Sequence, residues 1–162
     1  MNAQLETTAP EMRKEARRAN REILLVDDDP AIRRIIPRLL ADEGYVAHTA
    51  ADGARALDLA SAVDFDLVLL DLNMPTKDGW ETLEQLRKTN PTLPVIVVTA
   101  RPNQFFTALD SGVGALLEKP LDFTKLFKTI RELLAEAPAE QMARTSGHPA
   151  PFHYVSSIPG PR

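Results

Sequence analysis

Short apolar runs alternate with amphipathic segments through the middle of the chain. The clearest runs are ILLV at 23–26, LVLL at 67–70 and VIVV at 95–98, and each begins after a charged residue or a proline. Runs of this length that are rich in Val, Ile and Leu indicate strands buried on both faces. Two weaker runs, at 45–50 and 115–118, predict two further strands.

Helical periodicity fills the intervals between these runs. In 30–42 and 122–136 the apolar residues recur on one helical face, and shorter helical patterns cover 53–61, 79–88 and 103–110. Strands that alternate with helices pair in parallel through right-handed crossovers. The pattern therefore predicts an α/β three-layer sandwich, a five-stranded parallel sheet with helices on both faces, over residues 21–136.

The two flanks differ from this core. Residues 1–20 are polar and of mixed charge, which predicts a polar N-terminal extension. Residues 137–162 contain five prolines and little periodicity, so we expect an extended or disordered tail. The tail holds one aromatic cluster at 152–155, which is either part of a disordered end or a short docking motif for a partner or for the domain's own surface.

Composition narrows the possible functions. The chain has no cysteine, which excludes disulfides, thiolate catalysis and cysteine-bound zinc. The formal net charge of −4 gives no global attraction to nucleic acid or anionic membrane. Residues 1–20 lack the apolar stretch that is typical of a secretory signal, and the apolar runs are far shorter than the roughly 20 residues that cross a bilayer. We expect a cytoplasmic protein with no DNA-binding domain and no membrane contact.

Polar residues follow four of the predicted strands directly. Asp27 and Asp28 follow the first run, Asp71 follows LVLL, Thr99 follows VIVV, and Lys119 follows the run at 115–118. Each residue alone is more simply a cap, a turn former or a surface charge. Because the carboxyl ends of parallel strands meet at one edge of a sheet, we expect the whole set to converge there.

This set of side chains suits phosphoryl transfer. Two carboxylates about 4 Å apart repel by roughly 4 kcal/mol at an effective dielectric near 20. A hard divalent cation with oxygen ligands relieves that repulsion, and Mg²⁺ prefers one or two carboxylates with water and phosphate oxygens. One carboxylate can then attack phosphorus, while an ammonium and a hydroxyl stabilise the charge on the transferring group.

Four strings carry a resemblance to a known family. ILLVDDDPAIRRII, LVLLDLNMPTKDGWETLEQLR, VIVVTA and LLEKP resemble the receiver domain of two-component response regulators, over about residues 22–136. The resemblance implies a flavodoxin-like sheet in the 2-1-3-4-5 order.

The resemblance also implies a role for each matching residue. Asp71 is the phospho-acceptor, and Asp27 and Asp28 form the acidic pocket. Asp28, Asp71 and the backbone carbonyl of Asn73 hold Mg²⁺. Thr99 moves to bond the phosphoryl oxygen, and Lys119 pairs with the phosphate beside a Lys119-Pro120 peptide that is commonly cis. Asp29 lies outside the acidic pair and is interpreted as a helix cap.

The sequence departs from the family pattern in two places. The interval from Thr99 to Lys119 is short, so the fourth helix should be clipped or irregular. Leu116 stands where the family usually carries Tyr or Phe, whose ring swings inward on activation. The switch region of Thr99 and Leu116 therefore lacks the usual aromatic ring, and the output face is expected to differ from the usual one.

We therefore expect a stand-alone receiver and phosphoprotein. A histidine kinase or histidine phosphotransfer protein would donate the phosphoryl group, and output would reach an unidentified protein target. The domain would catalyse only its own phosphorylation and dephosphorylation, and whether it forms a homodimer is left open.

Two alternatives remain. One is a receiver-fold binding module that acts through its tails with little phosphorylation. The other is an aspartyl-phosphate phosphatase or mutase, which Asn73 disfavours because it cannot act as the general acid expected two residues after the nucleophile.

Overall fold

The computed structural model describes Ala9 and residues 20–74, 79–101, 103–148 and 150–157. In these ranges the strands are β1 (Glu22–Val26), β2 (Val46–Ala50), β3 (Leu67–Asp71), β4 (Val95–Thr99), β5 (Ala115–Glu118) and β6 (His153–Val155). The helices are α1 (Pro30–Asp42), α2 (Gly53–Ala62), α3 (Gly79–Thr89), α4 (Phe105–Asp110), α5 (Phe123–Leu134) and α6 (Pro138–Thr145).

The strands form one parallel sheet in the order β2-β1-β3-β4-β5-β6. The predicted 2-1-3-4-5 order is confirmed, and a sixth strand extends the sheet beyond β5. Because every strand runs the same way, the carboxyl ends of β1, β3, β4 and β5 meet at one edge of the sheet.

Apolar side chains alternate between the two faces of the sheet, as the two-residue period of a strand requires. Leu24, Val68 and Val97 pack on one face with residues from α2, α3 and α4. Ile23, Leu69, Ile96 and their neighbours pack on the other face with α1 and α5. The predicted three-layer sandwich is confirmed. The fourth helix has only six residues, which agrees with the clipped helix expected from the short interval before Lys119.

The prediction of an extended tail after residue 136 is wrong for much of the tail. Residues 138–145 form helix α6, in which Pro138 takes a first-turn position where its missing N–H is not needed. Gly147, at a φ of 74°, lies directly after the helix end. Residues 153–155 then pair in parallel with β5. The prolines thus border the elements rather than prevent them.

Most of the predicted N-terminal extension lies outside the described residues, which include only Ala9 and Asn20 from 1–20. In the part of the chain that the structure describes, no helix is both long and apolar enough to cross a membrane. Asp29 caps α1 by accepting a hydrogen bond from the amide of Ala31, which confirms its assignment as a cap.

Candidate functional site

The predicted side chains converge at the carboxyl edge of the sheet. The ammonium of Lys119 lies 3.3 Å from a carboxylate oxygen of Asp27 and 3.5 Å from one of Asp71. Asp27, Asp28 and Asp71 each place a carboxylate oxygen within 4.8 Å of the other two. The ends of β1, β3, β4 and β5, which are neighbours in the sheet, thus bring acids, an amine and an alcohol to one place.

Asp27 and Asp71 are both 2% exposed, whereas Asp28 faces solvent. Burial raises the pKa of Asp27 above its ordinary value, and the neighbouring Asp71 raises it further against the opposing effects of the Asp29 amide and Lys119. Burial alone would lower the pKa of Lys119, but Asp27 and Asp71 outweigh burial and hold it above its ordinary value. The raised pKa of Asp27 comes mainly from burial, whereas the raised pKa of Lys119 comes from the two neighbouring carboxylates.

Backbone amides fix the two buried carboxylates. The amide of Asp29 donates to Asp27 Oδ1 at 2.9 Å, and the amide of Asn73 donates to Asp71 Oδ1 at 3.0 Å. The first residue of α3, Gly79, lies so close to β3 that a Cβ there would come within 2.9 Å of the Asp71 carbonyl oxygen. A glycine at this position lets α3 begin directly against the strand that carries Asp71.

Thr99 is fully buried at the end of β4, and its hydroxyl oxygen accepts a hydrogen bond of 2.9 Å from the amide of Arg101. Leu116 is also buried, packed in the core beneath α3 and α4. The Lys119-Pro120 peptide bond is cis, as the resemblance implied. Residues 75–78 of the loop after Asp71 lie outside the described residues.

The donor set fits a hard divalent cation. Three carboxylate oxygens lie close enough together to share one ion, and the carbonyl of Asn73 follows Asp71 along the chain. Mg²⁺ binds oxygen at about 2.1 Å, so opposite ligands lie about 4.2 Å apart, which the spread of these oxygens allows. The buried acid with a raised pKa is the group whose charge such an ion would stabilise.

Sequence reasoning missed three charged residues around the site. Arg33 of α1 donates to the carbonyl oxygens of Asp27 and Asp28 at 3.0 and 2.8 Å. Arg101 donates through Nε to the side-chain oxygen of Asn73 at 2.6 Å, which ties the loop after β4 to the loop after β3. Glu118 is the last residue of β5, next to Lys119, and accepts a hydrogen bond from the hydroxyl of Tyr154. Each is a single charge with no distinctive spacing, so the sequence gives no signal for it.

Comparison with known proteins agrees with this geometry. Residues 23–131 match the response regulator receiver domain model. A CheY-like receiver domain protein from Methanospirillum hungatei JF-1 superposes with a TM-score of 0.68 at 32% identity, covering 75% of this chain and 96% of that one. The response regulator TrrA from Thermotoga maritima, solved in complex with Mg²⁺-BeF, superposes with a TM-score of 0.65 at 31% identity, covering 70% and 98%.

Two curated relatives are longer. The chain is 38% identical over 125 residues to the response regulator MprA of Mycobacterium bovis, covering 76% of this chain and 54% of that protein. It is 38% identical over 143 residues to the transcriptional regulatory protein ZraR of Klebsiella oxytoca, covering 87% and 32%. The chain thus spans about half the length of these relatives or less.

The flavodoxin-like fold and the group of acids with Lys119 at the carboxyl edge of the sheet together define a signalling module. Its acid pocket lies at the point where the strand order of the sheet reverses. The chain belongs to the response regulator receiver domain family.

Proposed function

We propose that this chain is a response regulator receiver that accepts a phosphoryl group on Asp71. The observation that carries the proposal is the contact of one ammonium, Lys119, with both buried carboxylates at the carboxyl edge of the sheet. A nucleophile, a cation and an alcohol around one point are what phosphoryl transfer requires. The donor would be the phosphohistidine of a histidine kinase or a histidine phosphotransfer protein.

In the proposed reaction a carboxylate oxygen of Asp71 attacks phosphorus. The new O–P bond forms as the N–P bond of the donor breaks, and the electron pair stays on the imidazole, which takes up a proton. Asp71 becomes an acyl phosphate. Lys119 and the Thr99 hydroxyl then donate hydrogen bonds to the phosphoryl oxygens. Attack of water on phosphorus releases inorganic phosphate and restores the carboxylate, so in this proposal the domain catalyses its own phosphorylation and dephosphorylation.

A magnesium ion is part of the proposal. Asp28, Asp71 and the backbone carbonyl of Asn73 would hold it, and Asp27 would lie beside them. When bound, it would supply positive charge to offset the clustered acids and the incoming phosphoryl oxygens. The support is the clustering of the three acids and the raised pKa of Asp27.

The output is proposed to run through protein contacts. The C-terminal residues fold back onto β5 in this structure. This docked tail and the buried Leu116 favour one alternative, a binding module with little phosphorylation. The two candidates differ in whether Asp71 is modified at all.

Intact-mass measurement separates the candidates. The full chain is incubated with acetyl phosphate and Mg²⁺, and a gain of one phosphoryl group is expected. Asp71→Asn should abolish the gain, whereas Asp58→Asn, at an exposed position in α2, should keep it. An unmodified wild-type chain would favour the binding module, and a gain that persists in Asp71→Asn would place the acceptor elsewhere.

A further inference from the structure

Residues 152–157, here called the strap, cover the outer edge of β5. Within the strap, His153, Tyr154 and Val155 pair with Ala115, Leu116 and Leu117. The ladder is only three residue pairs long, and Tyr154 remains 44% exposed. Short, exposed pairing of this kind belongs to the parts of a fold that open at low free energy.

One carboxylate, that of Glu118, accepts four hydrogen bonds from the strap. Tyr154 donates its phenol hydrogen to Glu118 Oε1 at 2.5 Å. The hydroxyl of Ser156 and the amide and hydroxyl of Ser157 donate to Glu118 Oε2 at 3.2 to 3.4 Å. The hydrogen bond from Tyr154 is the main reason that the pKa of Glu118 lies below its ordinary value. The same bond is the main cause of the raised pKa of Tyr154.

Aromatic contacts hold the strap to α4. The ring of Phe105 meets that of Tyr154 edge to face at 5.2 Å between centroids, and meets that of Phe152 at 5.6 Å. Phe105 is the first residue of α4, which follows the loop after Thr99. The strap therefore contacts both the end of β5 and the start of α4.

These contacts lie next to the phosphorylation site. Thr99 and Glu118 are register partners on neighbouring strands, and the amide of Lys119 donates to the Thr99 carbonyl at 2.8 Å. By strand alternation, Thr99, Glu118 and Tyr154 lie on the same face of β4, β5 and β6. A surface pocket of about 420 Å³ is lined by Thr99 and Lys119 and also by Tyr154 and Ser157. Side chains around the site therefore have room to move against the strap.

We infer that the strap is a phosphorylation-sensitive clasp: phosphoryl transfer to Asp71 releases residues 152–157 from Glu118 and Phe105. The inference rests on the proposed function of Asp71. Lys119 now contacts Asp27 and Asp71, and a phosphoryl group of charge near −2 would draw both Lys119 and Thr99 to its oxygens. Lys119 directly follows Glu118, the anchor of the strap, and Thr99 is connected to the same strand end because its carbonyl accepts a hydrogen bond from the Lys119 amide.

Release would create a binding surface. Release uncovers the ring of Phe105 beside Phe106, a residue that is already 75% exposed, and frees the edge of β5. An apolar patch next to an unpaired strand edge is the kind of surface that binds another protein. The clasp thus connects the chemistry at Asp71 to the exposure of an output surface.

Hydrogen exchange on the full chain tests the clasp. Amide protection of residues 152–157 is measured in Mg²⁺ alone and in Mg²⁺ with beryllofluoride, a stable mimic of a phosphoryl group, while ¹⁹F NMR reports bound fluoride. We expect exchange in the strap to be at least about fivefold faster with beryllofluoride, the lower end of typical allosteric coupling. Bound fluoride with unchanged or slower exchange would overturn the clasp and leave the proposed function standing. With no bound fluoride and no phosphoryl incorporation, both would fall.

Coupling between two events is reciprocal, which provides a second test. Tyr154→Phe keeps the ring contact with Phe105 but removes the hydrogen bond to Glu118. A weaker clasp should tighten beryllofluoride binding, by roughly threefold for one hydrogen bond. Tyr45→Phe, at the chain's other tyrosine, is the matched control and should leave the affinity unchanged. Unchanged or weaker binding in Tyr154→Phe would contradict the clasp, because a purely structural role for Tyr154 predicts no gain in affinity.

Discussion

Lys119 lies between two carboxylates but carries a single positive charge. Its ammonium contacts Asp27 and Asp71, and an oxygen of Asp28 lies close to both acids. One ammonium cannot balance three ionised carboxylates, so the site keeps an excess of negative charge. Asp28 adds to this excess from the solvent side, where an ion with its own water molecules can enter. The charge of individual residues thus points to a hydrated divalent cation.

Two adjacent acids allow a sharp test of this assignment. Asp28→Asn removes one proposed ligand charge, and because cation affinity depends on the number of charged ligands, Mg²⁺ binding should weaken at least about tenfold. Asp29→Asn also removes one charge at an exposed position, but Asn remains a good helix cap and Asp29 is not part of the acid cluster. Titration calorimetry should show nearly wild-type affinity for Asp29→Asn. Equal weakening in both variants would mean that only the general negative field attracts the ion.

The sequence predicts these residues because each follows an apolar run directly. Asp27, Asp28, Asp71, Thr99 and Lys119 come at strand ends, and parallel pairing brings those ends together. Glu118 carries no such signal, because its importance depends on Tyr154 and Ser157, which are far away in the chain. A contact between distant single residues leaves no periodic pattern to detect.

At the scale of elements, one buried arginine connects helix α6 to Glu136 before it and to Pro151 after it. Arg144 of α6 forms a bidentate pair with Glu136, with contacts of 2.5 and 2.9 Å. It also donates to the carbonyl oxygen of Pro151, just before the strap. Both charged side chains are less than a tenth exposed. A helix of eight residues is marginal alone, so α6 depends on tertiary contacts such as these. This dependence explains why the local sequence predicted no helix there.

Removing one partner of this pair should loosen the whole segment. Glu136→Ala leaves a buried, unpaired guanidinium, a change that typically costs about 3–5 kcal/mol. We expect urea denaturation to show a free energy of unfolding that is lower by this amount. If residues 138–157 dock onto the domain by less than this, they detach, and the loss equals their docking free energy. Glu140→Ala, at an exposed position in α6, should stay within about 0.5 kcal/mol of wild type.

Hydrogen exchange locates the loss in Glu136→Ala. Amides of 138–157 should exchange faster than in the wild type. Amides of β1 and β3, in the centre of the sheet, should exchange only as fast as the measured free energy of global unfolding allows. Wild-type stability and protection in this variant would contradict a structural role for the buried pair. Uniformly faster exchange would show instead that the segment unfolds together with the sheet.

At the scale of the whole molecule, β6 changes the position of β5 in the sheet. In the predicted five-stranded sheet β5 is an edge, and in the structure it is an interior strand with neighbours on both sides. The five predicted strands were recognisable because each is an apolar run between helices. The sixth has only three residues and lies between prolines, so its pairing depends on the surface that β5 and Phe105 present. The sequence showed the aromatic cluster but did not decide between a partner and the chain's own surface.

Magnesium should stabilise the folded chain as a whole, because the acids from β1 and β3 are brought together only by folding. An ion that binds only the folded state at one hundred times its dissociation constant adds about 2.7 kcal/mol to the free energy of unfolding. For a chain of this size, that corresponds to a rise in melting temperature of roughly 5–10 °C.

Differential scanning calorimetry in MgCl₂ and in NaCl of equal ionic strength measures the effect, and Asp28→Asn should lose most of it. Salt alone can reduce repulsion between exposed charges by screening. An equal rise in NaCl would therefore attribute the stabilisation to screening and would contradict a specific cation site at Asp28 and Asp71.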